Sequence, residues 1–154
     1  MRFSPDFESF ATVAAPGTIV PVWSEVLADL ETPVSTLMKL DQTGFSFLLE
    51  SVEGGERLGR YSFLGSRPWK RLSSKGHLVT LCEEGEERQI SLKAGESPLH
   101  VLRQHLSREK FVETEGLPRF VGGAVGYMAY DLVRFFERLP ATTVDDLNLP
   151  DSHF

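Results

Sequence analysis

Two apolar runs on either side of a glycine-rich turn lie near the middle of the chain. The first is Phe45–Val52 and the second is Arg60–Leu64, and the segment between them contains Gly54 and Gly55. Strand-like runs that flank glycine predict a β-hairpin with a longer loop. The first run has no polar position at its centre (Phe-Leu-Leu), so we expect protein to cover both faces of this strand.

Three hydroxyl–proline pairs predict three helix starts. Ser4-Pro5, Thr32-Pro33 and Ser97-Pro98 each supply a capping hydroxyl and a proline for the first turn. The apolar spacing then predicts the buried side of each helix. These sides are Phe7, Phe10 and Ala11 in the first helix, Val34, Leu37, Met38 and Leu40 in the second, and Leu99, Leu102 and Leu106, with Val101 nearby, in the third.

Short apolar runs separated by polar turns predict strands in the rest of the chain. Polar, glycine-containing turns separate three of these runs, a pattern typical of an antiparallel meander. The runs are Trp69–Leu72, His77–Cys82 and Arg88–Leu92. Thr18–Trp23 is rich in β-branched and aromatic residues and predicts a further strand. Phe120–Met128 predicts a buried strand whose glycines allow close approach by a neighbouring strand or a ligand.

The last part of the chain predicts one more short helix and then an acidic tail. Tyr130–Glu137 has Leu132, Phe135 and Phe136 as its apolar face, and Thr142–Phe154 shows neither helix nor strand. Taken together, the elements predict an α+β fold, an antiparallel sheet with a few short helices.

Length and composition are those of one ordinary globular domain. The chain has 154 residues, 41% hydrophobic and 25% charged, which is enough to bury a core and argues against disorder. The net charge of −6 argues against nucleic-acid binding, which needs a basic patch.

Targeting signals and cysteine content point to the cytoplasm. No apolar run approaches the ~18 residues needed to span a bilayer, so we expect no membrane partner. The N-terminal residues lack the continuous apolar segment of a secretory signal. The single cysteine, Cys82, excludes an internal disulfide and predicts a buried structural thiol.

A carboxylate and a hydroxyl follow directly on the first apolar run of the hairpin. Glu50 and Ser51 would place two polar groups at the rim of an apolar wall, which suits a small ligand. Glu50 would take the ammonium of an amino acid, and Ser51 would donate a hydrogen bond to its carboxylate. The alternative is that both groups cap a strand end and face water.

Catalytic and metal-binding patterns are missing. The sequence offers no locally supported nucleophile–base pair and no Cys/His cluster suited to zinc. Four glutamates surround Gly85 without the ligand order of a calcium loop, so we expect a solvated turn. His100 and His105 do not have the spacing of a metal-binding helix, and we expect both to be surface or boundary residues.

Three stretches carry a resemblance to a known family. LLESVEGGERLGRYSFLG resembles a signature near the start of the anthranilate synthase component I family, whose members use chorismate in tryptophan biosynthesis. TPVSTLMKL at Thr32–Leu40 and PRFVGGAVGYMAYDLVRFFE at Pro118–Glu137 are similar to further family segments. The stretches span most of the chain in the family's order.

The resemblance implies a ligand and the residues that bind it. In the family, the Leu-Leu-Glu-Ser segment helps to form the pocket for the feedback inhibitor L-tryptophan, which here means Leu48, Leu49, Glu50 and Ser51. Arg60 is the candidate for a cationic neighbour on the next strand. Residues 1–154 would then be a single N-terminal regulatory domain within the α/β sandwich of the chorismate-utilising enzymes.

The resemblance also implies what this chain would lack. The whole enzyme converts chorismate and ammonia, supplied by a glutamine amidotransferase subunit (component II), to anthranilate and pyruvate. Its catalytic residues and Mg²⁺ ligands lie in a longer C-terminal catalytic domain that is absent here. We therefore expect this chain to be inactive alone, to hold no cofactor, and to self-associate through apolar faces that the C-terminal domain would cover.

Two alternatives stay open at this level. One is the equivalent domain of aminodeoxychorismate synthase component I, the folate-pathway relative. The other is a free-standing amino-acid-binding module, which the abrupt end at Phe154 disfavours.

Overall fold

The computed structural model describes residues 2–41, 44–50, 61–140 and 142–154. The chain divides into two compact units, one made of Met1–Glu25 with Arg71–Phe154 and the other of Val26–Lys70. Short helices and mostly antiparallel strands make up the described chain, which confirms the predicted α+β class.

The helices and strands of the described residues have the following bounds. The helices are α1 (Phe7–Val13), α2 (Pro33–Leu40), α3 (Pro98–Leu106) and a 3₁₀ helix (Tyr130–Phe135). The strands are β1 (Thr18–Ile19), β2 (Ser46–Leu49), β3 (Phe63–Ser66), β4 (Lys70–Lys75), β5 (Leu78–Glu83), β6 (Glu86–Ser91), β7 (Lys110–Phe111), β8 (Tyr127–Met128) and β9 (Ser152–His153).

The larger unit contains a five-stranded sheet with the order β6-β5-β4-β9-β8. The predicted meander is confirmed as β4, β5 and β6. Glu83 pairs with Glu86 across a two-residue turn, Glu84-Gly85, in which both residues have positive φ (53° and 85°). Two consecutive positive φ values are the geometry of a type I′ hairpin turn, so the acidic segment is a tight turn.

The prediction of a tail without a strand is wrong, because Ser152–His153 forms β9 between β4 and β8. Leu72 and Phe154 exchange backbone hydrogen bonds of 3.0 and 2.8 Å. The hydroxyls of Ser74 and Ser152, both buried, lie 2.7 Å apart in the same ladder. Burying a hydroxyl without a partner is costly, so each serine stabilises the buried position of the other.

A lysine holds the acidic residues that precede β9. Lys75 Nζ donates to the Leu149 carbonyl (2.6 Å) and forms ion pairs with Asp145 and Asp151. The hydrogen bond from Lys75 lowers the pKa of the Asp145 carboxyl, and the same bond raises the pKa of Lys75. Asp151 also accepts from the Gly76 N–H at 2.7 Å. These contacts direct the tail onto the sheet.

Helix α3 starts after Ser97 as predicted, but it buries a different side. Pro98, Val101 and His105 are buried, and Val101 belongs to the core cluster with Leu72, Val79, Leu81 and Leu92. Leu99 and Leu102 are only partly buried, and Leu106 is 52% exposed. The helix therefore packs against the core through the side next to the predicted one. The prediction of a surface or boundary position is therefore wrong for His105, whereas His100 is exposed.

The prediction of a buried strand over Phe120–Met128 is also wrong. Only Tyr127–Met128 forms a strand, and both residues are exposed because β8 lies at the end of the described sheet. The expected role of glycine is confirmed at Gly126, where a Cβ atom would lie 1.9 Å from the His153 carbonyl oxygen. The 3₁₀ helix that follows buries Leu132, but Phe136 is exposed, contrary to its predicted place on the apolar face.

The first helix and strand differ from their predictions as well. The N-cap of α1 is Asp6, which accepts from the Ser9 N–H (2.8 Å), while Ser4 exchanges backbone hydrogen bonds with Trp23. That pairing keeps Ser4 outside the helix. Helix α1 buries no residue, and the strand predicted over Thr18–Trp23 is reduced to β1 and this bridge.

Cys82, expected to be a buried structural thiol, is only partly buried. Its sulfur accepts a hydrogen bond of 3.2 Å from Arg71 Nη2. The two residues lie on neighbouring strands, β4 and β5, so the contact links the central strand of the sheet to the next one.

We expect Gly126→Ala to destabilise the chain by ~1–3 kcal/mol, because the new methyl group would overlap backbone atoms of β9. Urea denaturation measures the change as a lower midpoint. Gly122→Ala is the matched control, since a Cβ there meets nothing within 4 Å. Equal midpoints for the two variants would contradict the packing of β8 on β9.

Ser74→Ala should lower the free energy of unfolding by ~1–3 kcal/mol, since it leaves the buried Ser152 hydroxyl unpaired. The double variant Ser74→Ala/Ser152→Ala should lose less than the sum of the two single variants. A double-mutant cycle from urea denaturation measures this coupling. Strictly additive losses would show that the hydroxyl pair does not stabilise β9.

Candidate functional site

The unit Val26–Lys70 contains the predicted hairpin and helix α2. Strands β2 and β3 pair antiparallel, from Ser46 opposite Ser66 to Leu49 opposite Phe63. The hairpin is therefore confirmed, with shorter strands than the apolar runs suggest. Its predicted loop, including Gly54 and Gly55, lies outside the described residues.

Helix α2 begins where the sequence predicts, because Thr32 and Ser35 form a capping box. The Ser35 N–H donates to Thr32 Oγ1 (3.1 Å), and the Thr32 N–H donates to Ser35 Oγ (2.9 Å). Glu31 accepts from Ser35 Oγ (2.7 Å) and pairs with Lys39, and the Lys39 hydrogen bond is the main cause that lowers the pKa of Glu31. These contacts cap the start of the helix and link Glu31, just before it, to Lys39 in its last turn.

The predicted apolar side of α2 is only partly used. Leu37 is partly buried, whereas Val34 and Met38 are exposed. Helix α2 lies against both strands of the hairpin. Of the predicted residues, Leu37 is the one on the partly buried side of the helix.

Polar contacts connect the end of α2 to one face of the hairpin. Asp41 accepts from Ser46 Oγ (2.9 Å) and from the Gly44 N–H (3.0 Å). Ser66 Oγ donates to the Leu40 carbonyl (3.2 Å). Side chains alternate along a strand, so Leu48 and then Glu50 follow Ser46 on this face. The structure thus brings Leu48 and Glu50 to the same side of the hairpin.

Glu50 is exposed at the end of β2. Ser62 Oγ, from the opposite strand, donates to Glu50 Oε1 at 3.4 Å, a long hydrogen bond. Leu48 is partly buried beside it. Ser62 was not among the predicted site residues, although its position opposite Glu50 follows from the hairpin register once that register is known.

Leu49 lies on the other face and is 46% exposed. The prediction that protein covers both faces of this strand is therefore wrong at Leu49 for the described chain. Apolar neighbours share this face. The Phe47 ring lies over Gly65, where a Cβ would be 2.5 Å from Cε1, and the Tyr61 and Phe63 rings lie 6.0 Å apart. The result is an aromatic surface next to Leu49.

Two of the predicted site residues, Ser51 and Arg60, lie outside the described residues. Depressions of the described surface occur near Trp23 and along α3, and neither includes Leu48, Leu49 or Glu50. Among the described residues, no group of three or more His, Cys, Asp or Glu side chains could hold a metal ion. No helix in the described part of the chain is long and apolar enough to cross a bilayer.

The chain is similar to curated proteins along nearly its full length. It is 38% identical over 153 residues to anthranilate synthase component 1 of Acetivibrio thermocellus, covering 99% of this chain and 30% of that protein. It is 39% identical over 147 residues to the protein of that name from Pseudomonas putida, covering 94% and 29%. Aquifex aeolicus has another relative of that name, 34% identical over 152 residues, covering 98% and 30%.

The match is to one part of longer proteins. The chain spans about 30% of the length of the curated relatives it matches. No protein-family model matches the chain. The similarity runs through the hairpin, α2 and the segment that contains β8, and in each relative it falls in the N-terminal part. Over almost its whole length, the chain is therefore a homologue of the N-terminal part of anthranilate synthase component 1.

Proposed function

We propose that residues 1–154 form the N-terminal regulatory domain of an anthranilate synthase. The observation that carries the proposal is the 38% identity over 99% of the chain to a protein of that name. The complete enzyme would convert chorismate and ammonia to anthranilate and pyruvate in tryptophan biosynthesis. The chain spans about 30% of such a relative. In this proposal the reaction takes place in the remaining part of the enzyme, and residues 1–154 alone are inactive.

The regulatory ligand in this proposal is L-tryptophan, bound by Leu48, Leu49, Glu50, Ser51 and Arg60. The exposed Glu50 carboxylate supports it, since the long contact with Ser62 leaves this group able to accept from an ammonium. Hydrogen bonds between two charged groups are stronger and shorter than neutral ones. Ser51 and Arg60 would bind the carboxylate end of the amino acid.

The two faces of the hairpin supply different parts of such a site. Leu48 and Glu50 share the face on which the serines contact α2. Leu49 belongs to the aromatic surface with Phe47 and Phe63, which suits contact with an indole ring. A ligand that uses both faces must bind at the end of β2, where Leu49 and Glu50 are adjacent. The rest of the pocket wall would come from the C-terminal domain.

Feedback inhibition requires tryptophan to prefer the less active state of the enzyme. A ligand shifts a conformational equilibrium only by the difference between its affinities for the two states. Hydrogen bonds at Asp41 and Ser66 connect the hairpin to the end of α2. A shift of β2 on ligand binding at Glu50 would therefore move the end of that helix as well.

The other components of the enzyme lie outside this chain in our proposal. Mg²⁺ would be held by the C-terminal domain. Component II, the glutamine amidotransferase, would supply ammonia. We also place the proposed enzyme in the cytoplasm.

The two alternatives have less support. The relatives described above carry the name of anthranilate synthase component 1, which favours the tryptophan pathway over aminodeoxychorismate synthase. Each is about three times as long as this chain, which favours a domain of an enzyme over a free-standing amino-acid-binding module.

Titration of the chain with L-tryptophan by calorimetry should detect binding that Ser51→Ala abolishes, because the variant removes the hydrogen bond to the ligand carboxylate. Ser46→Ala is the matched control. It removes a serine hydroxyl at the start of β2, where the partner is Asp41, and should keep the affinity within a few-fold. Equal losses in both variants would contradict a specific role for Ser51.

In the full-length enzyme, Glu50→Gln should raise the tryptophan concentration for half-inhibition by roughly tenfold or more, because it removes the charge that binds the ammonium. The rate without tryptophan should stay unchanged. Initial-rate assays of anthranilate formation measure both quantities. A lower rate with unchanged inhibition would place Glu50 in the catalytic machinery and overturn the regulatory assignment.

A further inference from the structure

Glu50, the proposed acceptor for the ligand ammonium, has a long side chain with few contacts. It is exposed at the end of β2, and in the described part of the chain its one hydrogen-bond partner is Ser62. No lysine or arginine among the described residues forms an ion pair with it. Glutamate loses much rotamer freedom when it is fixed in one conformation, and a ligand that has to fix it binds less tightly.

Ser62 is placed to reduce that freedom before a ligand binds. Leu49 pairs with Phe63, so the next positions, Glu50 and Ser62, face each other across the hairpin. Directly opposed residues of an antiparallel pair project from the same face, with their Cβ atoms roughly 5 Å apart. Serine has a short side chain whose heavy atoms are set by one torsion angle. The hairpin backbone therefore fixes a hydroxyl donor 3.4 Å from Glu50 Oε1.

We propose that Ser62 is a positioning residue of the tryptophan site, and that its hydroxyl orients the Glu50 carboxylate toward the ligand ammonium. The inference rests on the proposed function, in which Glu50 binds that ammonium. A carboxylate has two oxygens with about four lone-pair sites for hydrogen-bond donors. Ser62 occupies one of these sites at Oε1, so Oε2 and the other sites stay open to the N–H donors of a primary ammonium.

A neutral donor suits this task better than a cation. A lysine or arginine bonded to Glu50 would compete with the ligand ammonium for the carboxylate, in the way that Lys39 pairs with Glu31 beside α2. The serine hydroxyl carries no charge, so the stronger hydrogen bond between two charged groups is left to the ligand. The negative charge of Glu50 therefore remains available to the positive charge of the ligand.

Each strand of the hairpin contributes one polar and one apolar residue at this end. Leu49 and Phe63 are directly opposed and belong to the aromatic face. Glu50 and Ser62 follow as the next opposed pair, and they project from the other face because side chains alternate along a strand. A ligand at this end of the hairpin meets the polar pair with its ammonium and the apolar pair with its side chain.

The contact between Ser62 and Glu50 contributes little to the stability of the fold. Both side chains are exposed, and 3.4 Å is long for a hydrogen bond from a hydroxyl to a carboxylate. Water competes for exposed polar groups, so such pairs add little to the free energy of unfolding. A positioning role therefore predicts weaker tryptophan binding with an unchanged urea midpoint after loss of the hydroxyl, whereas a structural role predicts a lower midpoint.

Initial-rate assays of the full-length enzyme test the proposal through the tryptophan concentration for half-inhibition. Ser62→Ala should raise this concentration roughly threefold to tenfold, because the Glu50 carboxylate is no longer held toward the ammonium. Ser62→Thr, the matched variant, keeps a hydroxyl on a residue that favours strands, and should stay within about twofold of the unmodified enzyme. Urea denaturation should give the same midpoint for the unmodified enzyme and both variants.

A double-mutant cycle tests whether Ser62 acts through Glu50. In the Glu50→Ala background no carboxylate remains to be positioned. Adding Ser62→Ala there should change the tryptophan dissociation constant, measured by calorimetry on the full-length enzyme, by less than about twofold. An equal effect of Ser62→Ala with and without the Glu50 carboxylate would overturn the proposal.

The remaining outcomes separate this inference from the proposed function. Normal inhibition of the Ser62→Ala enzyme would overturn the positioning role and leave the tryptophan site standing. Equal losses in Ser62→Ala and Ser62→Thr, or a lower urea midpoint in Ser62→Ala, would overturn it too, since the hydroxyl would not be orienting the carboxylate. An unmodified enzyme that neither binds tryptophan nor is inhibited by it would overturn the proposed function, and this inference with it.

Discussion

The pairing of β9 with β4 is the contact on which the larger unit depends. It joins Ser152 and Phe154 to Ser74 and Leu72, residues that lie about eighty positions earlier in the chain. Closing a long loop costs conformational entropy, and the cost grows slowly with length. The backbone ladder, the buried hydroxyl pair and the packing of Phe154 against the core offset it. β8 then pairs with Ser152 and His153 of β9, so the end of the sheet depends on the same strand.

Charge and close packing direct this pairing. Lys75 contacts Asp145, Asp151 and the Leu149 carbonyl, which turns the acidic segment toward the sheet. Gly126 lets β8 approach the backbone of β9 more closely than a residue with a Cβ atom would. Lys75 binds the residues that precede β9, and Gly126 packs against the backbone of β9 itself. Two independent contacts therefore position this strand.

The smaller unit is held together by short-range polar contacts. Thr32 and Ser35 cap the start of α2, and Asp41 connects its end to Ser46 of the hairpin. The hairpin carries a polar and an aromatic face that meet at Glu50 and Leu49. In the proposed enzyme, this is where a regulatory amino acid would contact a part of the chain that carries out no chemistry.

Local contacts explain what the sequence by itself determined. The cap at Thr32, the start of α3 after Ser97, the β4–β6 meander and the β2–β3 hairpin depend on residues close together in the chain, and all were predicted. The residues of the candidate site were also named from sequence. The common face of Leu48 and Glu50 and the contact of Glu50 with Ser62 were not, because both depend on strand register.

Tertiary structure decided the features whose partners are far away in sequence. Ser152-His153 has no strand signal of its own and becomes one because β4 and β8 flank it. In α3 the apolar spacing predicted burial of the side with Leu99, Leu102 and Leu106, and packing against the core buried the adjacent side with Val101 and His105. Ser4-Pro5 resembles a helix start, but the backbone bonds to Trp23 hold Ser4 outside the helix. In each case a distant backbone or core surface outweighed a local preference, since local preferences are worth only about 1 kcal/mol.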